Sequence, residues 1–140
     1  MLIEQIKNIL QKYKVIENSL LFGSYANNQQ HKMSDIDIAV QTTKELDLFE
    51  IGEIISDLET QLNHKIDFII INELYKNSPL LAYNIYLNHI PVFIHNHKIY
   101  NIFKENAMHY YFDFKHVIDE QNETFKQRIL DGNIAKTQTA

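Results

Sequence analysis

The residues best suited to chemistry lie in one stretch of the chain between two apolar runs. Gly23 and Ser24 follow an apolar segment, and after ten further residues Asp35 and Asp37 flank Ile36. A Gly-Ser turn behind a buried strand can bring its backbone amides close to phosphate oxygens. Two aspartates at positions i and i+2 of a strand project from the same face. The stretch therefore predicts a phosphate-binding turn beside a pair of carboxylates.

A third carboxylate, Asp67, is the one acidic residue in the apolar segment 65–71. We expect this segment to be a central strand, in which an unneutralised aspartate would be costly. If it pairs with the strand that carries Asp35 and Asp37, the three carboxylates repel one another and their pKa values rise. Divalent cations relieve such repulsion, and oxygen ligands favour Mg²⁺ or Mn²⁺ over zinc. Two ions about 3.5–4 Å apart can clamp a displacement at phosphorus, and Asp67 can accept the proton of the attacking hydroxyl.

Apolar periodicity predicts the elements that must position these residues. Helical spacing covers residues 2–13, 46–62, 78–87 and 98–130, strand spacing covers 15–22, 35–41, 65–71 and 90–94, and a short helix or turn follows the Gly-Ser pair. The last strand is expected at a sheet edge because it contains Pro91. The order of elements predicts an α/β (α+β) fold, with a small mixed β-sheet, flanking helices and a long C-terminal helix.

The composition favours one folded domain without covalent cross-links. Of 140 residues, 45% are hydrophobic, and the chain has few glycines and prolines and no cysteine. We expect a single domain over residues 1–130 and a flexible tail at 131–140. The formal net charge of −5 argues against direct binding of nucleic acid. No apolar run approaches the roughly 20 residues needed to span a membrane, and the lack of cysteine and of a signal-peptide pattern is typical of a cytoplasmic protein.

An aromatic run from Tyr110 to Phe114 lies within the long C-terminal helix. Consecutive side chains circle a helix axis, so these rings cannot all face one core. Part of the run must be exposed or contact a partner, and exposed aromatic patches are typical of protein–protein interfaces. We therefore expect this helix to bind another protein.

Together these residues resemble the nucleotidyltransferase superfamily built around the catalytic core of DNA polymerase β. Its members combine a hydrophobic residue before Gly-Gly or Gly-Ser, a spacer of about ten residues, an Asp-x-Asp or Asp-x-Glu strand and a third carboxylate on a later strand. The corresponding residues of this chain are Phe22-Gly23-Ser24, Asp35-Ile36-Asp37-Ile38 and Asp67. The resemblance covers about residues 15–71. At this length the chain is most similar to the minimal nucleotidyltransferase (MNT) proteins, many of which are antitoxins encoded beside a HEPN-domain ribonuclease toxin.

The resemblance implies transfer of AMP from ATP to a tyrosine hydroxyl of a cognate HEPN toxin, which inactivates the ribonuclease. It implies that Gly23 and Ser24 bind the nucleotide triphosphate and that Asp35 and Asp37 bind Mg²⁺, as two ions that Mn²⁺ can replace. It further implies that Asp67 completes the metal site and assists deprotonation of the acceptor. The toxin is expected to dock on the aromatic C-terminal helix.

The chain departs from many of these relatives just after the Gly-Ser turn. Where they carry a basic residue, this chain has Asn27 and Asn28. The phosphate charge is then expected to be met by metal ions, backbone amides and Lys32. Two alternatives stay open: an antitoxin that occludes its toxin sterically with weak or no catalysis, and a nucleotidyltransferase that modifies a small molecule such as an antibiotic, for which the chain is short.

Overall fold

The computed structural model describes residues 1–30 and 34–131 of the chain. In chain order the elements are α1 Leu2–Leu10, β1 Ile16–Phe22, a 3₁₀ turn Gly23–Tyr25, β2 Ile36–Thr42, α2 Leu48–Leu62, β3 Ile66–Ile70, α3 Leu74–Asn77, α4 Pro79–Leu87, β4 Ile90–Ile94 and α5 His97–Leu130. The predicted fold class is confirmed, and α3 is one short helix that the periodicity does not predict. The predictions for Lys32 and for residues 132–140 lie outside the described residues. No helix in the described part of the chain is both long and apolar enough to cross a membrane.

β1 and β2 form the centre of a four-stranded sheet with the order β3-β2-β1-β4. β1 pairs antiparallel with β2 and with β4, whereas β2 pairs in parallel with β3. The parallel pairing requires a crossover connection, which α2 provides. The edge position predicted for β4 is confirmed. The prediction that β3 is a central strand is wrong: among the described residues only β2 pairs with it, and its apolar side chains pack against helices instead of marking a second neighbouring strand.

Side-chain alternation along the strands divides the core into two clusters, one on each face of the sheet. Ile36, Ile38 and Val40 of β2 pack in the cluster that contains α1 and α2. Ala39 packs in the other cluster, with α3, α4 and α5. Asp37 alternates with Ile36 and Ile38, so it lies on the same face as Ala39. The carboxylate site is therefore at the margin of the α3–α5 face.

The ends of α2 fix where the chain enters β3. Asp47 and Glu50 form a complete capping box, in which Asp47 Oδ1 accepts from the Glu50 amide at 2.8 Å and Glu50 Oε1 accepts from the Asp47 amide at 3.2 Å. The helix ends at Asn63, whose φ of 53° is left-handed. Asparagine is one of the few residues other than glycine that tolerate this conformation. The α2–β3 loop is therefore short and sharply turned.

A buried amide network ties the start of α5 to both central strands. Asn18 is fully buried in β1. Its Oδ1 accepts from the backbone amides of His95 and Asn96 at 2.9 and 3.0 Å, and its Nδ2 donates to Gln41 Oε1 at 2.8 Å and to the Asn96 carbonyl at 2.9 Å. Gln41 Nε2 donates in turn to the Ile99 carbonyl at 3.1 Å. The side chain of Asn18 thereby uses all of its hydrogen-bonding capacity.

Only the first part of α5 is covered by the rest of the fold. The helix has 34 residues, which corresponds to a length of about 51 Å. Its buried residues are Phe103 and Ala107, and from Phe112 to Leu130 every residue is exposed. The second half of α5 therefore leaves the domain as a solvated helix.

The aromatic run is divided between packed and exposed rings, as predicted. The ring centroids of Tyr110 and Tyr75 lie 4.9 Å apart, and those of Tyr111 and Tyr83 are stacked at 3.8 Å. Phe112, by contrast, is 51% exposed. The two tyrosines hold α5 against α3 and α4, and the apolar residues beyond them are all exposed.

Replacement of Asn18 by alanine should lower the free energy of unfolding by about 2–4 kcal/mol, because buried partners on β2 and α5 lose their hydrogen bonds. Urea denaturation followed by circular dichroism measures this change. Asn101→Ala is the matched control, since Asn101 is an exposed residue of α5 and alanine favours helix. A loss below about 1 kcal/mol for Asn18→Ala would contradict the structural role of the network.

Candidate active site

The Gly-Ser turn forms where β1 leaves the sheet. Gly23 has a φ of 72°, which non-glycine residues adopt only with strain. The chain then makes one 3₁₀ turn, in which the Ala26 amide donates to the Gly23 carbonyl at 3.1 Å and the Asn27 amide donates to the Ser24 carbonyl at 3.2 Å. Ser24 is half-buried in this turn. The predicted turn is therefore present as a tight backbone loop, and phosphate binding by Gly23 and Ser24 stays a prediction.

Gly23 is also required by its contact with the carboxylate of Asp37. Phe22 pairs with Asp37 in the β1–β2 ladder, which brings the turn directly over the neighbouring strand. A Cβ atom on Gly23 would overlap Asp37 Oδ2. The absence of a side chain thus lets the turn and the carboxylate lie against each other.

Asp37 and Asp67 face each other across the parallel β2–β3 pairing. The register matches Asp37 with Asp67 directly, so that both side chains lie on one face of the sheet. Burial raises the pKa of Asp37 to about 6, with further increases from the charge of Asp67, a hydrogen bond shared with the Asp67 carboxyl and the charge of Asp35. Two carboxylates can share a hydrogen bond only if one of them is protonated. Near neutral pH Asp37 loses its proton, and the pair then concentrates negative charge.

The three predicted carboxylates differ in exposure. Asp37 is half-buried, whereas Asp35 and Asp67 are exposed. The expectation that Asp67 is enclosed in an apolar strand is wrong, because β3 is an edge strand and Asp67 lies next to its first residue. The expectation of mutual repulsion agrees with the raised pKa of Asp37.

The carboxylate face suits a hard divalent cation by its chemistry. It offers only oxygen donors, a pair of opposed carboxylates and a glycine that leaves space beside Asp37 Oδ2. Within residues 1–30 and 34–131, however, no three acidic, histidine or cysteine side chains converge as a set that could hold a metal ion as they stand. The close pair is Asp37 with Asp67, and ligation by all three aspartates stays a prediction.

The α2–β3 loop borders the same site, and sequence reasoning missed it. The Lys65 carbonyl accepts from the Ile36 amide at 3.0 Å, which extends the parallel pairing by one residue beyond Ile66. The ring of His64 lies edge-on to that of Tyr25 in the Gly-Ser turn, with centroids 6.1 Å apart. The sequence could have predicted that Lys65 borders the site, because Lys65 precedes Asp67 by two positions and residues two apart on a strand share a face.

A cavity of about 560 Å³ lies away from the carboxylates, at the opposite ends of β2 and β3. Its lining includes Thr42, Asn72 and Leu74. Asn72 follows β3 and extends the contact with β2 there, since its side chain forms two hydrogen bonds with the backbone of Thr42 at 2.8 and 2.9 Å. The carboxylates instead stand at an open margin of the sheet.

Comparison with known proteins identifies the class to which this fold and site belong. A family model described as polymerase beta, nucleotidyltransferase matches residues 4–98. The match spans more than half of the chain, and the chain therefore belongs to this nucleotidyltransferase family.

Two relatives from Methanocaldococcus jannaschii carry the name protein adenylyltransferase. One, MJ0128, is 41% identical over 78 residues, which cover 49% of this chain and 76% of the relative. The other, MJ1215, is 35% identical over 79 residues, which cover 51% of this chain and 92% of the relative. The similarity to these proteins extends over about half of the chain.

Solved structures with the same fold include toxin–antitoxin assemblies. A toxin–antitoxin crystal structure with AMP-PNP has a TM-score of 0.71 at 21% identity and covers 92% of this chain and 99% of its own. A structure of a tri-AMPylated Shewanella oneidensis HEPN toxin in complex with an MNT antitoxin has a TM-score of 0.62 at 18% identity and covers 91% and 98%. At these identities the likeness shows the fold.

Replacement of Gly23 by alanine should destabilise the protein by about 1–2 kcal/mol from the left-handed backbone alone, with the overlap onto Asp37 adding to it. Gly52 provides the matched control: it lies inside α2 and has no heavy atom within 4 Å of its would-be Cβ, so Gly52→Ala should stabilise the protein by about 0.5–1 kcal/mol. Chemical denaturation of both variants tests the contrast. Equal stabilities would show that the turn does not need glycine.

Proposed function

We propose that this protein is an antitoxin that transfers AMP from ATP to a tyrosine hydroxyl of a HEPN-domain ribonuclease toxin and thereby inactivates it. The observation that carries the proposal is the contact of the Gly23 turn with Asp37, which itself faces Asp67 across the β2–β3 pairing. This arrangement supports the proposal because the backbone of the turn, which would bind phosphate, lies beside opposed carboxylates. Family membership supports nucleotidyl transfer, and the names of the relatives support a protein acceptor.

The residues of the site divide the work of the reaction. Gly23 and Ser24 would bind the triphosphate through backbone amides and the serine hydroxyl. Asp35, Asp37 and Asp67 would hold two Mg²⁺ ions, or Mn²⁺ in their place; such ions neutralise charge on the phosphates and lower the pKa of an incoming hydroxyl. The tyrosine oxygen forms the new bond to the α-phosphorus of ATP, the bond to pyrophosphate breaks, and Asp67 accepts the tyrosine proton.

The position of Asp67 supports a macromolecular acceptor. Asp67 is exposed on an edge strand, so a tyrosine on the surface of another protein can approach it without entering a deep pocket. A small-molecule acceptor would instead need enclosure to be bound and oriented. The open margin of the sheet therefore favours the protein substrate over the antibiotic-type alternative.

The exposed half of α5 supplies a docking surface for the toxin. Phe114, Ile118 and Phe125 fall on the helix face that also carries the buried Phe103 and Ala107. The apolar face thus continues past the point where the domain stops covering it. We propose that the toxin covers this continuation, which would bring its tyrosine to the same protein that carries the carboxylates.

Catalysis is tested by incubating the protein with labelled ATP, Mg²⁺ and the toxin encoded beside it, and measuring the mass of the toxin. A gain of one or more AMP units on tyrosine is expected. The Asp35→Asn/Asp37→Asn variant should lower the transfer rate by about a thousandfold or more, since metal ions contribute several kcal/mol to such reactions. Glu45→Gln/Glu53→Gln is the control, because both residues are exposed and neither belongs to the motif; Glu45 lines the cavity at the opposite end of β2.

Protection of cells from the toxin separates catalytic from steric neutralisation. If the aspartate variant protects cells as well as the unmodified protein does, antitoxin action does not depend on AMP transfer. The sterically acting antitoxin would then be the correct interpretation.

The docking surface is tested by Phe125→Glu, with Gln127→Glu as a control that adds the same charge to the opposite side of α5. Phe125 is 56% exposed, so its replacement should leave folding intact. Loss of an interface anchor should weaken toxin binding by about 30-fold or more, measured by titration calorimetry with the purified toxin. Unchanged affinity of the Phe125→Glu variant would exclude this face of α5 from the interface.

A further inference from the structure

The candidate active site has a large excess of negative charge. Asp37 faces Asp67 at one margin of the sheet, and Asp35 is near enough for its charge to raise the pKa of Asp37. A nucleotide triphosphate adds several more negative charges. The turn residues Asn27 and Asn28 contribute no positive charge. Tight binding of the polyphosphate therefore calls for a cation from another part of the chain.

The α2–β3 loop is held against this site at two separate points. His64 contacts the ring of Tyr25, which belongs to the Gly-Ser turn. One residue later, the Lys65 carbonyl accepts from the Ile36 amide, between Asp35 and Asp37 on β2. Because the Lys65 carbonyl is bonded to β2 and the preceding residue contacts the Gly-Ser turn, the backbone at Lys65 is positioned by the fold.

The register then decides which face Lys65 occupies. Ile36 pairs with Ile66 and Asp37 with Asp67, so Lys65 occupies the position beside Asp35. Ile66 packs in the cluster of α1 and α2, on the face opposite to the carboxylates. By strand alternation, Lys65 lies on the carboxylate face together with Asp67.

The ammonium group of Lys65 is available for a ligand. Three other lysines form ion pairs, Lys12 with Asp57, Lys44 with Glu50 and Lys76 with Glu73. Lys65 is exposed and makes no ion pair with any residue of the described chain. Its long side chain can therefore reach over the site margin toward a bound anion.

We propose that Lys65 binds the polyphosphate of ATP and supplies the positive charge that the Gly-Ser turn of this chain lacks. In this role Lys65 contacts the pyrophosphate part of the nucleotide and not its nucleoside part. The proposal rests on the proposed function, since it assumes that ATP is bound between the turn and the carboxylates. It also gives the phosphate charge a partner whose backbone is bonded to β2 beside the carboxylates.

Binding measurements with two nucleotides test the proposal without relying on turnover. In the presence of Mg²⁺, Lys65→Ala should raise the Kd for AMP-PNP about tenfold, because a hydrogen bond to a charged group is lost. The Kd for AMP, which has no pyrophosphate part, should change by less than about twofold. Lys65→Arg should restore most of the AMP-PNP affinity, and Lys65→Gln should not, since only the former keeps the charge.

Two further lysine variants complete the design. Lys98→Ala is the matched control, because Lys98 is an exposed lysine at the start of α5 and should leave both constants unchanged. Lys32→Ala tests the rival cation from the sequence interpretation. A loss of AMP-PNP affinity with Lys32→Ala but not with Lys65→Ala would overturn the assignment to Lys65.

The remaining outcomes separate this inference from the proposed function. If the unmodified protein binds AMP-PNP and Lys65→Ala binds it equally well, the inference alone fails. If Lys65→Ala weakens AMP-PNP and AMP alike, Lys65 acts on the shape of the site and not on the polyphosphate, and the inference is again overturned. If the unmodified protein binds no AMP-PNP, the proposed function and the inference fail together.

Discussion

The parallel pairing of β2 with β3 is the constraint on which the candidate active site depends. Its register sets Asp37 opposite Asp67, and the antiparallel pairing of β1 with β2 sets the Gly-Ser turn beside the same carboxylate. A shift of β2 by one residue against its neighbours would send Asp37 to the α1–α2 face and leave an apolar side chain in its place. The two apolar clusters prevent that shift, because each matches alternate residues of β2 and β3 to helices on its own side.

The same register places like charges together, which opposes folding. Partial burial and two neighbouring carboxylates raise the pKa of Asp37 to about 6, so the ionised form is less favourable in the folded protein than in the unfolded chain. The protonated form of Asp37 is therefore favoured by folding and stabilises the protein. This stabilisation is fully present below the pKa of the unfolded chain and is lost as the pH rises through about 6. The site thus carries local destabilisation that a bound cation can relieve, and such strain is typical of residues placed for chemistry.

A second set of polar contacts links the sheet that carries the carboxylates to the start of α5, the helix proposed to dock the toxin. Asn18 and Gln41 are buried in the two central strands and bond to the backbone at the start of α5. The long helix is therefore oriented by the same strands that carry the Gly-Ser turn and Asp37. If the exposed half of α5 binds the toxin, this network relates the position of the acceptor to that of the carboxylates.

The sequence by itself determined the motif, the element types and their order. Gly23, Asp35 and Asp37 could be singled out because their meaning depends on local spacing, and α5 could be predicted because its apolar period is local. Tertiary structure decided the strand order, which made β3 an edge strand and exposed Asp67. It also bonded the backbone of Lys65 to Ile36 and packed the rings of Tyr110 and Tyr111 against tyrosines of α3 and α4. Periodicity reports which side of an element is apolar, whereas pairing and packing between distant segments decide what covers that side.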